Sequence, residues 1–281
     1  MTRILRPDVR ILLTEDNEIN QEVAQGILSN AGCSCQIVIN GKLAVEAVQK
    51  NRYDLVLMDC QMPEMDGFTA ARTIRELEAQ HRVIHYNVSR LPIVALTANA
   101  IKGDRELCLA AGMDEYLSKP IEPNQLVEMI NRLLPPESAQ LPQTGASRDA
   151  TPIVAASGTG TAAPPTAAVD DAPINLATAL QRCLGRQDFL ERILQTFKKK
   201  VAKDIEALQA HVKAGAMDQV ALLAHGLKGA AANVSAERLR LAAYELEQIG
   251  KAGESAKAEE GLGRLKTEVA CCLEYLEGVA V

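Results

Sequence analysis

Short apolar runs alternate with amphipathic stretches along the first half of the chain, and the second half changes to a spacing of three and four. Val9–Leu13, Cys35–Val38, Leu55–Met58, Ile93–Leu96 and Tyr116–Leu117 read as strands. Each is followed by helical spacing, from about Asn17 to Asn30, Gly41 to Lys50, Phe68 to Glu78, Ile101 to Ala111 and Pro123 to Leu133. Gly112 stands where a C-cap would close the fourth of these helices. Leu55-Val56-Leu57-Met58 has no polar member, which marks a strand buried on both faces. Five strand–helix units of this size imply the α/β class, with a doubly wound, five-stranded parallel sheet covered by helices on both faces. The stretch from Gln80 to Arg90 is long and not apolar, and is expected to form an extended loop before the fourth strand.

The pattern breaks after Leu134. Residues 135–173 hold seven of the twelve prolines among Ala, Thr, Ser and Gly. That composition cannot bury a core and reads as a flexible linker, with an r.m.s. span on the order of 35 Å. From about Ile174 the chain is helical. Leu190, Leu194, Phe197, Val201, Ile205, Leu208 and Val212 mark one long amphipathic helix. A second runs from about Asp218 to Val234, and a third starts after Ser235, which can cap it. A fourth runs from about Ser255 to Leu276, with Gly261 and Gly263 weakening its start. Four helices joined by short loops imply an all-α antiparallel bundle. The expected division is therefore 1–134, a linker at 135–173, and a bundle at 174–281.

The totals exclude several roles. Net charge is −6, and residues 174–281 carry 15 basic against 14 acidic groups. Residues 1–134 carry 14 basic against 18 acidic. Neither part has the basic excess that a nucleic-acid backbone needs, so nucleic acid is not an expected partner. No run of 18 apolar residues exists, so no membrane insertion is expected. The first seven residues do not read as a secretory signal, and seven cysteines without CxxC spacing read as free thiols, which together suggest a cytoplasmic protein. His81 and His85 have an i, i+4 spacing but no partner ligand nearby, and read as surface residues.

The candidate chemistry of the first part falls just after the strands. Glu15 and Asp16 follow the first, Asp59 the third, Thr97 the fourth, and Lys119-Pro120 the fifth. A parallel sheet sends these ends to one rim, where ligands bind. Three carboxylates crowded there repel unless a cation relieves them, and hard oxygen ligands suit Mg2+. Lys119 can pair with a phosphoryl group and Thr97 can donate to one. No GxxxxGK[ST] loop occurs, so the chain is not built to hold ATP by that device.

Glu15-Asp16, Asp59 with Met62-Pro63 and Asp66-Gly67, Ala95-Leu96-Thr97-Ala98, and Lys119-Pro120 resemble the receiver domain of two-component response regulators. The match covers roughly residues 8–134. It implies a flavodoxin-like fold with Asp59 as phosphoacceptor. It further implies Mg2+ held by Glu15, Asp16, Asp59 and the backbone carbonyl of Gln61. Thr97 and Tyr116 would be the pair that moves when phosphate arrives.

In the second bundle helix, Val220, Leu223, Leu227, Ala230 and Val234 form the apolar stripe. His225 lies opposite, on a face with Asp218, Ala221, Leu222, Lys228, Gly229 and Ala232, and is expected to point to solvent. Gly226 and Gly229 cost roughly 1 kcal/mol each inside a helix, so something must favour small residues there. A partner backbone approaching the imidazole would do so. Ala224-His225-Gly226-Leu227-Lys228-Gly229 resembles the histidine phosphotransfer (HPt) domain, which implies that His225 takes the phosphoryl group with Lys228 beside it. For Lys228 a solvated surface lysine is the competing reading. Where the family usually has Gly, this chain has Ser235.

The two resemblances together imply a Mg2+-dependent phosphorelay between histidine and aspartate. Its partners would be a sensor histidine kinase and a downstream response regulator receiver. The same pair of domains resembles the C-terminal portion of hybrid sensor histidine kinases, so a stand-alone relay and a fragment are both open. No ATP-binding kinase domain is read in this chain. Two rivals belong to other classes. In one, the bundle is an interaction or dimerisation module and His225 is inert. In the other, Asp59 is a phosphatase nucleophile, although such enzymes usually set a second Asp two positions on, where Gln61 stands.

Overall fold

The computed structural model describes residues 8–84, 90–97, 102–134 (backbone alone for 102–104) and 172–279. The expected linker lies outside the described residues except for 172 and 173, as do residues 85–89 of the expected loop.

The first part is built from β1 (Arg10–Thr14), α1 (Glu18–Ala31), β2 (Ser34–Val38), α2 (Gly41–Lys50) and β3 (Leu55–Asp59). It continues with α3 (Gly67–Ala79), β4 (Ile93–Thr97), α4 (Lys102–Ala110), β5 (Glu115–Ser118) and α5 (Pro123–Leu133). All strand pairs are parallel, in the order β2-β1-β3-β4-β5. The order reverses next to β1, and a crevice forms there at the C-terminal strand ends. β3 and β4 are buried along their whole length, as their unbroken apolar runs require. The register pairs Leu13 with Leu57 and Asp59 with Leu96, which brings the ends of β1, β3 and β4 level at one edge.

The second part contains α6 (Leu176–Arg182), α7 (Gln187–Ala214), α8 (Met217–Asn233), α9 (Glu237–Lys251) and α10 (Ser255–Gly278). The four long helices form the bundle; the short α6 was not separated from α7 by the sequence pattern. Gly185, at φ +71, makes the break between them. Ser235 does not cap α9. It holds φ +58, in the left-handed region that favours glycine, and Ala236 is the N-cap without a side-chain bond. The Ser235 hydroxyl instead accepts from Arg182 of α6.

The two parts are packed together. α1 lies against α7 and α8, and one apolar cluster continues from Leu13 and Ile27 through Phe189 and Leu227 to Leu276. A second cluster, around Tyr53, Met58 and Ile74, fills the other face of the sheet.

Candidate functional site

The rim of the sheet gathers the expected residues. Lys119 reaches in from the end of β5 and its Nζ bonds Glu15 Oε2 at 2.5 Å and Asp59 Oδ2 at 2.7 Å. Asp59 and Glu15 are both almost fully buried. One oxygen from each of Glu15, Asp16 and Asp59 lies within 4.8 Å of the others. The Gln61 backbone N–H donates to Asp59 Oδ1 at 3.3 Å. The loop carrying it is pinned by Gly67, where a Cβ would stand 2.1 Å from the Asp59 carbonyl oxygen.

One ammonium cannot neutralise three carboxylates. Burial, and then the charge of Glu15, push Asp59 up to about 8. Burial and Glu15 likewise push Asp16 up to about 6. For Lys119 burial pulls downward, but Asp59 and Glu15 outweigh it and keep the ammonium charged. This oxygen donor set, short of positive charge, fits a hard divalent cation.

Thr97 ends β4 and is buried beside Asp59 in the same cleft. Tyr116 stands half-buried on β5 and lines a different cleft with Gln125, Met129 and Arg132, so the described geometry does not bring it to Asp59.

On α8 the outcome differs from the helix-wheel expectation. His225 does face away from the bundle's apolar stripe, but it is only 8 % exposed, because the strand-end rim lies over it. Lys228 is buried too, so the solvated-lysine reading falls. His225 and Asp59 line one cleft of about 160 Å³, together with Gln61, Thr97, Lys228 and Glu247. One of the small residues also finds its reason. A Cβ on Gly229 would stand 3.0 Å from Asn20 Nδ2, whereas one on Gly226 would be in ordinary contact, 3.5 Å from Asn17 Nδ2. At Gly229 a side chain of α1, rather than a backbone, makes the close approach.

Several residues of the site carry no signal in the linear pattern. Glu247 of α9, 1 % exposed, accepts from His225 Nδ1 at 3.0 Å and from Lys228 Nζ at 2.5 Å. Lys251 adds a third bond at 2.6 Å. Burial alone would raise Glu247; the bonds to His225, Lys228 and Lys251 overcome it and hold the carboxyl down to about 2. Burial pushes His225 below its usual value, the Glu247 bond opposing it, so the ring is neutral near pH 7. The contact with an ionised carboxylate assigns the ring proton to Nδ1 and leaves the lone pair on Nε2. Asn20 completes the set. Its Nδ2 donates to Glu15 Oε1 at 2.8 Å while its Oδ1 accepts from Asn233 Nδ2 of α8 at 2.7 Å. Asn17 Nδ2 donates to the Gly226 carbonyl at 2.7 Å.

Comparison with known proteins follows the same division. Residues 11–131 match the response regulator receiver domain and residues 192–272 match the Hpt domain. The sensor histidine kinase GacS of Pseudomonas protegens is 32% identical over 269 residues, which is 92% of this chain and 27% of that protein. Hybrid signal transduction histidine kinase B of Dictyostelium discoideum is 45% identical over 129 residues, 44% of this chain and 7% of that protein. The chain thus spans about a quarter or less of the length of these curated relatives. Among solved structures, the receiver domain of a sensor histidine kinase from Pseudomonas aeruginosa, with a magnesium ion coordinated in its active site cleft, is 43% identical. That match covers 45% of this chain and 97% of the other, with a TM-score of 0.39. No helix among the described residues is long and apolar enough to cross a membrane.

Proposed function

For a chain that joins a response regulator receiver domain to an Hpt domain, we propose phosphoryl transfer between Asp59 and His225 as the step it performs in a phosphorelay. The observation that carries this reading is the shared cleft: the carboxylate and the imidazole line the same space, with Lys119 behind one and Lys228 beside the other.

The residues have distinct parts. Asp59, phosphorylated on a carboxylate oxygen, presents an acyl phosphate to α8. His225 Nε2 attacks phosphorus, the N–P bond forms, and the bond from phosphorus to the Asp59 oxygen breaks. The imidazole keeps its Nδ1 proton and becomes positively charged. Glu247, an anion against Nδ1, stabilises that charge and holds the ring, as a buried carboxylate does for a catalytic histidine elsewhere. Glu247 is thus a positioning residue. Lys119 takes up charge on the returning Asp59 carboxylate. Lys228, buried in the cleft, offers positive charge to the transferring oxygens. Thr97 lies within the cleft as a hydroxyl for a phosphoryl oxygen, and Tyr116, on the neighbouring strand β5, is its switch partner. Glu15, Asp16, Asp59 and the Gln61 carbonyl would hold Mg2+, which would spread negative charge on the phosphoryl group when bound. The division into a receiver at 1–134, a linker at 135–173 and an HPt bundle at 174–281 belongs to this reading. The partners are a histidine kinase that supplies the phosphoryl group and a further receiver that takes it.

The test uses a small acyl-phosphate donor and the full chain. Label should appear on Asp59 and then on His225. The first label is labile in alkali; the second survives alkali and is lost in acid. Asp59→Asn should remove both, EDTA should suppress both, and His225→Gln should remove the alkali-stable one alone. Alkali-stable label persisting in His225→Gln would refute the assignment.

A further inference from the structure

Gly26 sits in the third turn of α1, a helix whose other inward positions are filled by Val23, Ala24, Ile27 and Leu28. After proline, glycine is the poorest helix former, so a mid-helix glycine asks for a reason. The reason is in the other domain. The three nearest atoms that a Cβ at Gly26 would meet all belong to the Phe189 ring of α7: Cζ at 2.3 Å, Cε1 at 2.6 Å and Cε2 at 3.2 Å. Phe189 lies one residue off the stripe that packs the bundle, yet it is only 2 % exposed, and its ring sits in the notch that the missing side chain leaves.

Polar contacts continue the same seam. Glu22, one turn before Gly26, accepts from the Thr196 hydroxyl at 2.9 Å and stands 3.5 Å from Arg192. The Arg192 guanidinium in turn lies 5.1 Å from the Phe189 ring centre. Glu22 and Gly26 on α1 therefore face Phe189, Arg192 and Thr196 on α7, positions that share a helix face on each side. None of these five groups lines the clefts that hold Asp59 and His225.

We propose that Gly26 and Phe189 form the lock by which this receiver is selected as the HPt domain's partner. A receiver with any side chain at the corresponding position of α1 is turned away by the ring. The consequence for signalling rests on the phosphorelay reading, but the lock itself is a docking contact and is tested as one.

The experiment compares the full chain with Gly26→Leu, Phe189→Ala and the double variant Gly26→Leu/Phe189→Ala. Hydrogen exchange is read at α1 and at residues 187–196, the radius of gyration by small-angle X-ray scattering, and the phosphoryl group by its appearance on His225. Gly26→Leu should keep full helicity, because leucine favours the helix more than glycine does. It should nevertheless open the seam, with exchange there faster by about tenfold or more and a larger radius of gyration. Phe189→Ala, which leaves the receiver untouched, should open it in the same direction and carries the test if Gly26→Leu misfolds. In the double variant the new leucine fills the space of the lost ring, and protection should return. Wild-type protection in Gly26→Leu and in Phe189→Ala, or a double variant no better than the worse single, would overturn the lock. If the wild type passes nothing to His225 while Gly26→Leu still opens the seam, the phosphorelay reading fails and the lock stands.

Discussion

Two buried carboxylates of this molecule, Asp59 and Glu247, are held in opposite states. Asp59 is pushed up to about 8 and Glu247 down to about 2, although both are nearly sealed from water. Burial raises each of them; the neighbours decide the sign. At the sheet rim Asp59 shares one ammonium with Glu15 and has Asp16 close by. On the bundle Glu247 has Lys228, Lys251 and the imidazole to itself. The first arrangement is short of positive charge and suits a guest cation and an incoming phosphoryl group. The second is complete and serves to hold a ring in one orientation. A buried charge is therefore no guide to a reacting group until its counterions are counted.

The most severe way to break this contrast is Glu247→Ala, which leaves Lys228 and Lys251 without their anion. The bundle should lose about 3–5 kcal/mol in a urea melt followed by circular dichroism. Asp59→Asn should cost far less, because it relieves the rim of one of its carboxylates; an equal loss in the two variants would refute the contrast. Next comes pH. A carboxyl whose folded value lies below its ordinary 4.5 gives stability that is complete above 4.5 and is lost as pH falls toward 2. The stability gap between wild type and Glu247→Gln should thus close over that window, by an amount on the order of 3 kcal/mol. A gap that holds constant down to pH 2 would mean that the imidazole and the two lysines do not set the state of Glu247.

A smaller effect is expected where the two sites meet. Ala232 is half-buried and lines a second, neighbouring cleft that Asp59 and His225 also border, with Glu15, Asn20 and Lys119. Ala232→Arg should slow single-turnover transfer to His225 at least tenfold, about 1.4 kcal/mol in barrier. Stability of the bundle should stay within about 0.5 kcal/mol. A collapsed melt would place Ala232 in the core instead. The least effect belongs to the rim of the interface. Arg182 Nε stands 3.8 Å from Glu122, whose carboxylate is half exposed. Glu122→Gln should weaken docking by less than about 1 kcal/mol, and added salt should erase the difference.

What could be read in advance followed chain geometry. Glu15, Asp16, Asp59, Thr97 and Lys119 were legible as one cluster because a parallel sheet delivers every strand's end to the same edge. His225 and Lys228 were legible as neighbours because three residues make nearly one helical turn. Glu247 was not, since it enters from α9, 22 residues away, and no periodicity links it to His225. The burial of His225 escapes the sequence pattern for a related reason. A helix wheel reports direction relative to the bundle's own core and is silent about a second domain laid over the other face. Gly26, Phe189 and Asn20 make sense only across that boundary. Ser235 hid its left-handed backbone, because serine, unlike glycine, does not announce one.

The apolar seam between the domains carries a thermal consequence. Phe189 in its notch and the cluster running from Ile27 to Leu227 hold the docked form largely by excluding water. Such attraction weakens on cooling, whereas the amide bonds from Asn17 and Asn20 do not depend on it. The molecule should therefore loosen at its waist as temperature drops toward freezing, while each half stays folded. On the phosphorelay reading, a chain built this way would pass a phosphoryl group to His225 more slowly in the cold.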